Sequence, residues 1–182
     1  NSVYTLSPNA AINAAEKLGY PVILKTARGV GGEGVMRVSS ENELKPIMDA
    51  MKSFEQDIVL QEYIEHSGTD TRVIVIDDYV TAYSRSSAGD EWRSNLAAGG
   101  SRTKAELTDE LKQAALTAAR ATGFDMCGAD IVGHDGEIYI LEVNGSFGIS
   151  EEMNELIGED VILRMVERLH EQAMKKQVED EE

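Results

Sequence analysis

The sequence predicts an α+β protein with mainly antiparallel sheet. Strand-like runs are interrupted by only three or four helical stretches, without the regular alternation that a parallel sheet needs. Neighbouring runs are joined by short turn signals, Asp77-Asp78 and His134–Gly136, which favour antiparallel pairs. A chain of 182 residues that is 42% hydrophobic and 27% charged can bury one sizeable core or two smaller ones.

The elements follow in order. Ser7 before Pro8 caps a helix whose apolar positions run from Ala11 to Leu18, with Gly19 as the stop. Pro21 to Thr26 reads as a buried strand, Ala27 to Gly34 as a glycine-rich connection and Val35 to Val38 as the returning strand. Ser40 and Glu43 have capping-box spacing for a helix through Met51, which Pro46 is expected to kink or shorten. Ile58 to Ile64 is a strand, and Thr71–Ile76 with Val80–Arg85 form a pair around Asp77-Asp78. Ser86 to Lys104 is polar, rich in glycine and aperiodic, which suits a functional flap or a disordered loop. Thr108 caps an alanine-rich helix to Thr122, stopped by Gly123. Strands follow at Met126–Val132 and Glu137–Val143, then a helix from Glu159 to Lys175 and a frayed acidic tail. The stretch Glu65–Thr69 is a candidate junction between two lobes.

A net charge of −16, from 33 acidic and 17 basic residues, argues against an extended surface for nucleic acid or anionic lipid. One cysteine, Cys127, excludes an internal disulfide and reads as a small core residue of a reducing compartment. The apolar runs are too short to cross a bilayer as a helix, so the expected location is cytoplasmic. The first residue is Asn1 rather than Met, which suggests numbering that begins inside a longer chain.

Several groups carry chemistry. In the run from Arg28 to Gly34, Gly29, Gly31, Gly32 and Gly34 let backbone N–H groups approach phosphate oxygens, with Lys25 just before. A flexible hairpin tip is the bland alternative. The run is neither a Walker A loop nor a Rossmann fingerprint. Gln61, Glu62, Tyr63 and Ile64 end a strand, where free backbone groups can meet an adenine edge, or simply pass into a turn. Arg72, Arg85 and Arg93 cluster at strand ends and in the polar loop, where they can hold oxyanions or form ordinary surface ion pairs. Trp92 beside Arg93 is a loop aromatic or a small anchor. The three histidines, His66, His134 and His170, lack metal spacing and read as surface residues.

Asp130, Glu142 and Asn144 lie on consecutive strands. With a three-residue connection at His134–Gly136, Asp130 faces Ile140, and Glu142 and Asn144 share its side of the sheet. Two carboxylates and an amide oxygen then suit magnesium. With a two-residue type I′ turn at Asp135-Gly136, Asp130 instead faces Leu141, and Glu142 turns away. The first register is preferred, because the second leaves a carboxylate among apolar groups.

Taken in order, the pieces Pro21–Lys25, Gly32–Val35, Leu60–Ile64, Gly68–Arg72, Arg93–Leu96 with Gly99-Gly100, Gly128–Val132 and Leu141–Asn144 resemble the ATP-grasp superfamily, specifically the RimK-type α-L-glutamate ligases. The resemblance spans roughly Tyr20 to Gly148. It implies two lobes with mainly antiparallel sheets gripping a nucleotide: residues 1–64 with the glycine loop and 65–176 with the metal site, before the tail at 177–182. It further implies ATP and Mg²⁺ as cofactors, with Mn²⁺ as a substitute. Lys25 would contact the α/β phosphates, Gly29–Gly34 would fold over them, and Gln61–Ile64 with Asp70 would hold the adenosine, with Arg93 and Asn95 also at the nucleotide. Asp130, Glu142 and Asn144 would bind the metal, a choice that again supports the three-residue connection.

The implied reaction joins a carboxylate donor to an amine acceptor through an acylphosphate, with Arg85 and Arg93 as catalytic groups. Donor and acceptor would be an amino acid such as glutamate and a protein, peptide or small molecule. Self-association is left open. A nucleotide-binding regulatory module without turnover is the alternative. Two departures stand out: the family commonly has proline where Phe147 stands, and nothing here corresponds to its N-terminal lobe, so the chain is expected to be a fragment of the enzyme.

Overall fold

Two sets of aliphatic strands build two separate cores in the computed structural model, one in Asn1–Glu65 and one in His66–Glu182. The structure describes residues 1–27, 32–66, 68–87 and 100–181.

The first unit contains β1 (Ser2–Thr5), α1 (Pro8–Leu18), β2 (Val22–Thr26), β3 (Val35–Val38), α2 (Glu41–Ser53) and β4 (Ile58–Glu62). Its sheet has the order β1-β4-β2-β3, antiparallel throughout. Ser7 caps α1 by accepting from the Ala10 amide, and Gly19 ends it at a φ of 83°. Ser40 caps α2 by accepting from the Glu43 amide, while the Glu43 carboxylate accepts from the Ser39 amide at 2.8 Å. That helix keeps its full span through Pro46. Strand alternation sorts the residues: Val22, Leu24, Val38, Ile58 and Leu60 join Ala11, Ala15, Leu44 and Met48 in the core. Lys25 and Gln61 therefore lie on the face turned away from that core.

The second unit contains β5 (Thr69–Ile76), β6 (Tyr79–Ser86), β7 (Ser101–Lys104), α3 (Asp109–Thr122), β8 (Met126–His134), β9 (Glu137–Asn144), α4 (Glu151–Ile157) and α5 (Val161–Glu181). The strand order is β7-β6-β5-β8-β9, again antiparallel. Val73, Val75, Ala82, Cys127, Ala129 and Ile131 pack under Ala115, Leu116 and Ala119 of α3. On the opposite face Ile74, Ile76 and Tyr83 pack with Phe147, Met153, Ile157 and Val161. The remainder of that second face is polar. Among the described residues no helix is long and apolar enough to cross a membrane.

Three short elements escape the sequence pattern. β1 and β7 have only four residues each, and α4 has seven. The C-terminal helix starts at Val161 and continues to Glu181, so the acidic tail extends the helix instead of fraying.

The β8–β9 connection also corrects the preferred register. His134 pairs with Glu137, so only Asp135 and Gly136 form the turn, with φ of 50° and 81°. These left-handed values belong to a type I′ turn, whose twist matches that of the strands. Pairing then runs to Ile131 with Ile140, and a bulge shifts it so that Asp130 pairs with Glu142. Leu141 is the extra residue. The turn follows one expectation, the metal residues the other, and the bulge reconciles them.

Gly136→Ala is expected to lower unfolding free energy by about 1–2 kcal/mol, the cost of a side chain in left-handed backbone, read as a shift of the denaturation midpoint.

Candidate functional site

The polar half of the second sheet is built from cross-strand pairs. Asp70 and Arg72 are two residues apart on β5 and share a face. Arg85 of β6 pairs with Asp70, and Asp130 of β8 pairs with Arg72. Arg72 grips Asp130 with two parallel hydrogen bonds, Nε to Oδ1 at 2.7 Å and Nη2 to Oδ2 at 2.8 Å. Arg85 grips Asp70 in the same way at 2.7 and 2.5 Å, and its Nη2 also lies 2.7 Å from Asp130 Oδ2. The result is a chain of four alternating charges, Asp70–Arg85–Asp130–Arg72, with zero net charge. Both aspartates are 4% exposed and Arg85 is 7% exposed. Fixed bidentate geometry is what makes such burial tolerable.

The charges tune each other. Burial pushes the Asp130 carboxyl up, but hydrogen bonds from Arg72 and the Arg85 and Arg72 charges outweigh it and hold the group below its ordinary value. Burial opposes charge on Arg85 and Arg72 as well, and their aspartate partners more than restore it. Asp130 and both arginines are therefore ionised near neutrality.

At the edge strand, Glu142 stands opposite Asp130, and Asn144 opposite Gly128. The Asn144 amide donates to Glu142 Oε1 at 2.9 Å. A Cβ on Gly128 would lie 3.1 Å from that of Phe147 and 3.4 Å from Arg72 Cδ. The absence of a side chain at Gly128 thus leaves room for both the buried Phe147 and Arg72.

Asp130, Glu142 and Asn144 fit a hard divalent cation by donor type and by register. Three of the roughly four lone-pair sites of Asp130 already receive guanidinium N–H groups, which leaves one for a metal. Among the described residues no three His, Cys, Asp or Glu side chains converge to hold a metal ion.

In the first unit, Lys25 pairs with Val35 and Val59 at the base of the glycine connection. Gly34 has a φ of 72°, and a Cβ there would lie 2.3 Å from Thr26 Oγ1. Only glycine fits that approach. Gly32 is also left-handed, at 83°. Gln61 and Glu62 end β4, Glu62 accepts from Asn1 Nδ2 at 2.8 Å, and the Arg37 guanidinium stacks 4.3 Å from the Tyr63 ring centroid. Ile64 follows, half-buried. Gly29, Gly31, Trp92, Arg93 and Asn95 lie outside the described residues.

His66 departs from the surface reading. Its Nδ1 is buried without a hydrogen-bond partner, and burial lowers its pKa against the pull of Asp70. Arg72 and Arg85 are likewise not surface ion pairs, and Asp70 holds Arg85 with both carboxylate oxygens. The β5–β8 pairing that joins Arg72 to Asp130 spans 58 residues, and no local turn signals it. Arg102 on β7 was hidden in a stretch that reads as loop.

Residues 3–169 match the RimK-like ATP-grasp domain. The chain belongs to that family. It is 33% identical over 175 residues to a probable alpha-L-glutamate ligase of Histophilus somni (strain 2336), covering 91% of this chain and 58% of that protein. It is 34% identical over 157 residues to a probable alpha-L-glutamate ligase of Picosynechococcus sp., covering 85% and 52%. The RimK-like chain thus spans about half the length of these curated relatives. Its fold resembles D-alanine–D-alanine ligase from Bacillus anthracis, with a TM-score of 0.72 at 18% identity over 99% of this chain and 63% of that one. It also resembles the ATP-grasp ligase PsnB complexed with minimal precursor, with a TM-score of 0.66 at 24% identity over 95% and 54%.

Removing one member of the buried quartet of this RimK-like domain strands the others. Asp130→Ala is expected to cost about 3–5 kcal/mol, because two guanidiniums then face each other unbalanced. The pH dependence has a definite sign. The depressed Asp130 carboxyl contributes stability in full above its unfolded pKa of about 4, and loses it as pH falls below that toward the folded value. Denaturant titrations from pH 7 to 2 should show a smaller loss of stability on acidification in Asp130→Asn than in the wild type.

Proposed function

We propose that this chain is the nucleotide- and metal-holding part of an ATP-dependent carboxylate–amine ligase, with residues 1–64 as the smaller lobe and 65–176 as the metal-carrying lobe. The observation that carries the reading is the pairing of Asp130 with Glu142, flanked by Asn144 on one side and backed by the buried Arg85 and the half-buried Arg72. Family membership supports it, and the names of the curated relatives favour glutamate as the amino acid joined to a protein, peptide or small molecule.

In the proposed reaction a substrate carboxylate oxygen attacks the γ-phosphorus of ATP and ADP leaves. An amine then attacks the acyl carbon, releasing inorganic phosphate and a proton as the amide forms. A magnesium ion, or manganese with the same oxygen preference, would offset phosphate charge when bound. Asp130, Glu142 and Asn144 supply its oxygen ligands. Lys25 and the amides around Gly32 and Gly34, with Gly29 and Gly31, approach the phosphates. Gln61 to Ile64 with Asp70 hold the adenosine; Asp70 also fixes Arg85, whose guanidinium stabilises charge on the transferring group, with Arg93 and Asn95 at the nucleotide. The protein's contribution is alignment and charge, since no covalent enzyme intermediate is needed. The single buried Cys127 suits a reducing, cytoplasmic setting.

Calorimetric titration of ATP with and without magnesium tests the site. Glu142→Gln and Asn144→Ala are expected to weaken magnesium-dependent binding at least about tenfold while leaving metal-free binding unchanged, the size of a lost charge-assisted contact. Equal affinities in wild type and both variants would overturn the metal assignment. Release of ADP and phosphate that depends on an added amino acid and amine acceptor would support the ligase, and nucleotide binding without turnover would favour a regulatory module.

A further inference from the structure

Arg102 occupies an unusual place on the site face. β7 pairs with β6 so that Arg102 stands opposite Arg85, and Lys104 opposite Tyr83. Like charges directly across a sheet destabilise it. Arg85 is neutralised by Asp70 and Asp130, but Arg102 is not. Its Nε is buried without a hydrogen-bond partner, and its Nη1 comes only within 3.8 Å of Glu152, a carboxylate that is 86% exposed. The Tyr83 ring centroid lies 6.0 Å from its guanidinium carbon. Period-two alternation puts Lys104 on the same side of the sheet.

The polar face therefore has a direction. Its centre, Asp70–Arg85–Asp130–Arg72, is balanced. The β9 end adds Glu142, and the β7 end adds Arg102 and Lys104. In a chain of net charge −16 such a cationic edge is not part of a general basic surface. The partly exposed end of the Arg102 guanidinium can offer its two Nη groups to both oxygens of a carboxylate in parallel bonds, while the unpartnered Nε leaves its charge without a close internal acceptor.

We propose that Arg102, assisted by Lys104, is a carboxylate-recognition site that selects an acidic substrate by holding a carboxylate that the reaction leaves intact. Its role in substrate choice rests on the ligase reading; its capacity to bind a carboxylate does not. The site favours glutamate over glutamine, because the amide replaces one charged acceptor oxygen with a donor that faces another donor.

The test titrates the protein separately with L-glutamate, L-glutamine and inorganic phosphate, following the Arg102 Nε–H resonance by NMR. Magnesium–ATP affinity and melting temperature are measured alongside. Glutamate is expected to bind at least about tenfold tighter than glutamine and to exclude phosphate as a competitor of equal strength. Arg102→Gln should abolish that preference, Arg102→Lys should keep part of it, and neither should alter magnesium–ATP affinity. Arg102→Gln should melt at the same or a higher temperature, since it removes a like-charge pair. Equal binding of glutamate and glutamine, phosphate binding as tight as glutamate, or a preference that survives Arg102→Gln would each overturn the assignment. A lower melting temperature with the preference intact would make Arg102 a structural residue. If glutamate selectivity holds while magnesium–ATP does not bind, the ligase reading fails and the carboxylate site stands.

Discussion

Asp130 sits between two guanidiniums in a sheet interior, and the architecture of the second unit follows from keeping that carboxylate charged there. An ionised carboxylate removed from water needs opposite charge in close, well-directed contact, or it takes up a proton. Arg72 supplies a bidentate grip from the neighbouring strand and Arg85 a further contact. Those arginines bring their own burial cost, which Asp70 offsets at the far end of the chain. None of the four is dispensable to the others. The backbone register of three strands is thereby tied to one set of charge pairings, since a one-residue slip of β5 against β6 or β8 would turn the partners to opposite faces.

This arrangement gives the sheet two unlike sides. α3 covers one with a uniform apolar layer, which anchors the strands. On the other, the apolar layer under α4 and the start of α5 includes Phe147, and both its side chain and that of Arg72 approach Gly128. A side chain at position 128 would displace one of these. The boundary between packing and polar chemistry thus falls at a single glycine, and the arginine beyond it is held by the Asp130 carboxylate. Phe147, where the family resemblance leads one to expect proline, has a packing role in this chain.

Most of the fold could be read from local signals, because those signals are themselves structural interactions. Ser7, Ser40 and Thr108 accept from helix amides, Gly19 and Gly123 end helices, and the runs at Val22–Thr26 and Val35–Val38 pair as a hairpin. What escaped was short or non-local. β1 and β7 draw their stability from pairing with β4 and β6, not from a pattern of their own. The site divides in the same way. Asp130 and Glu142 were legible as a pair on adjacent strands, but neither regular register was right, because a bulge at Leu141 is a tertiary feature that composition does not announce. The quartet of two arginines and two aspartates was hidden for the same reason: Arg72 and Asp130 are joined by a strand pairing over 58 residues.

In the proposed ligase, Asp130, Glu142 and Asn144 form one cation site that works with nucleotide. Paramagnetic relaxation by substoichiometric Mn²⁺ in an NMR spectrum of the 182-residue chain measures this directly. In the presence of ATP, the amide signals of Asp130, Glu142 and Asn144 should broaden first and most strongly. Broadening concentrated elsewhere in the acidic surface, or identical with and without ATP, would contradict it.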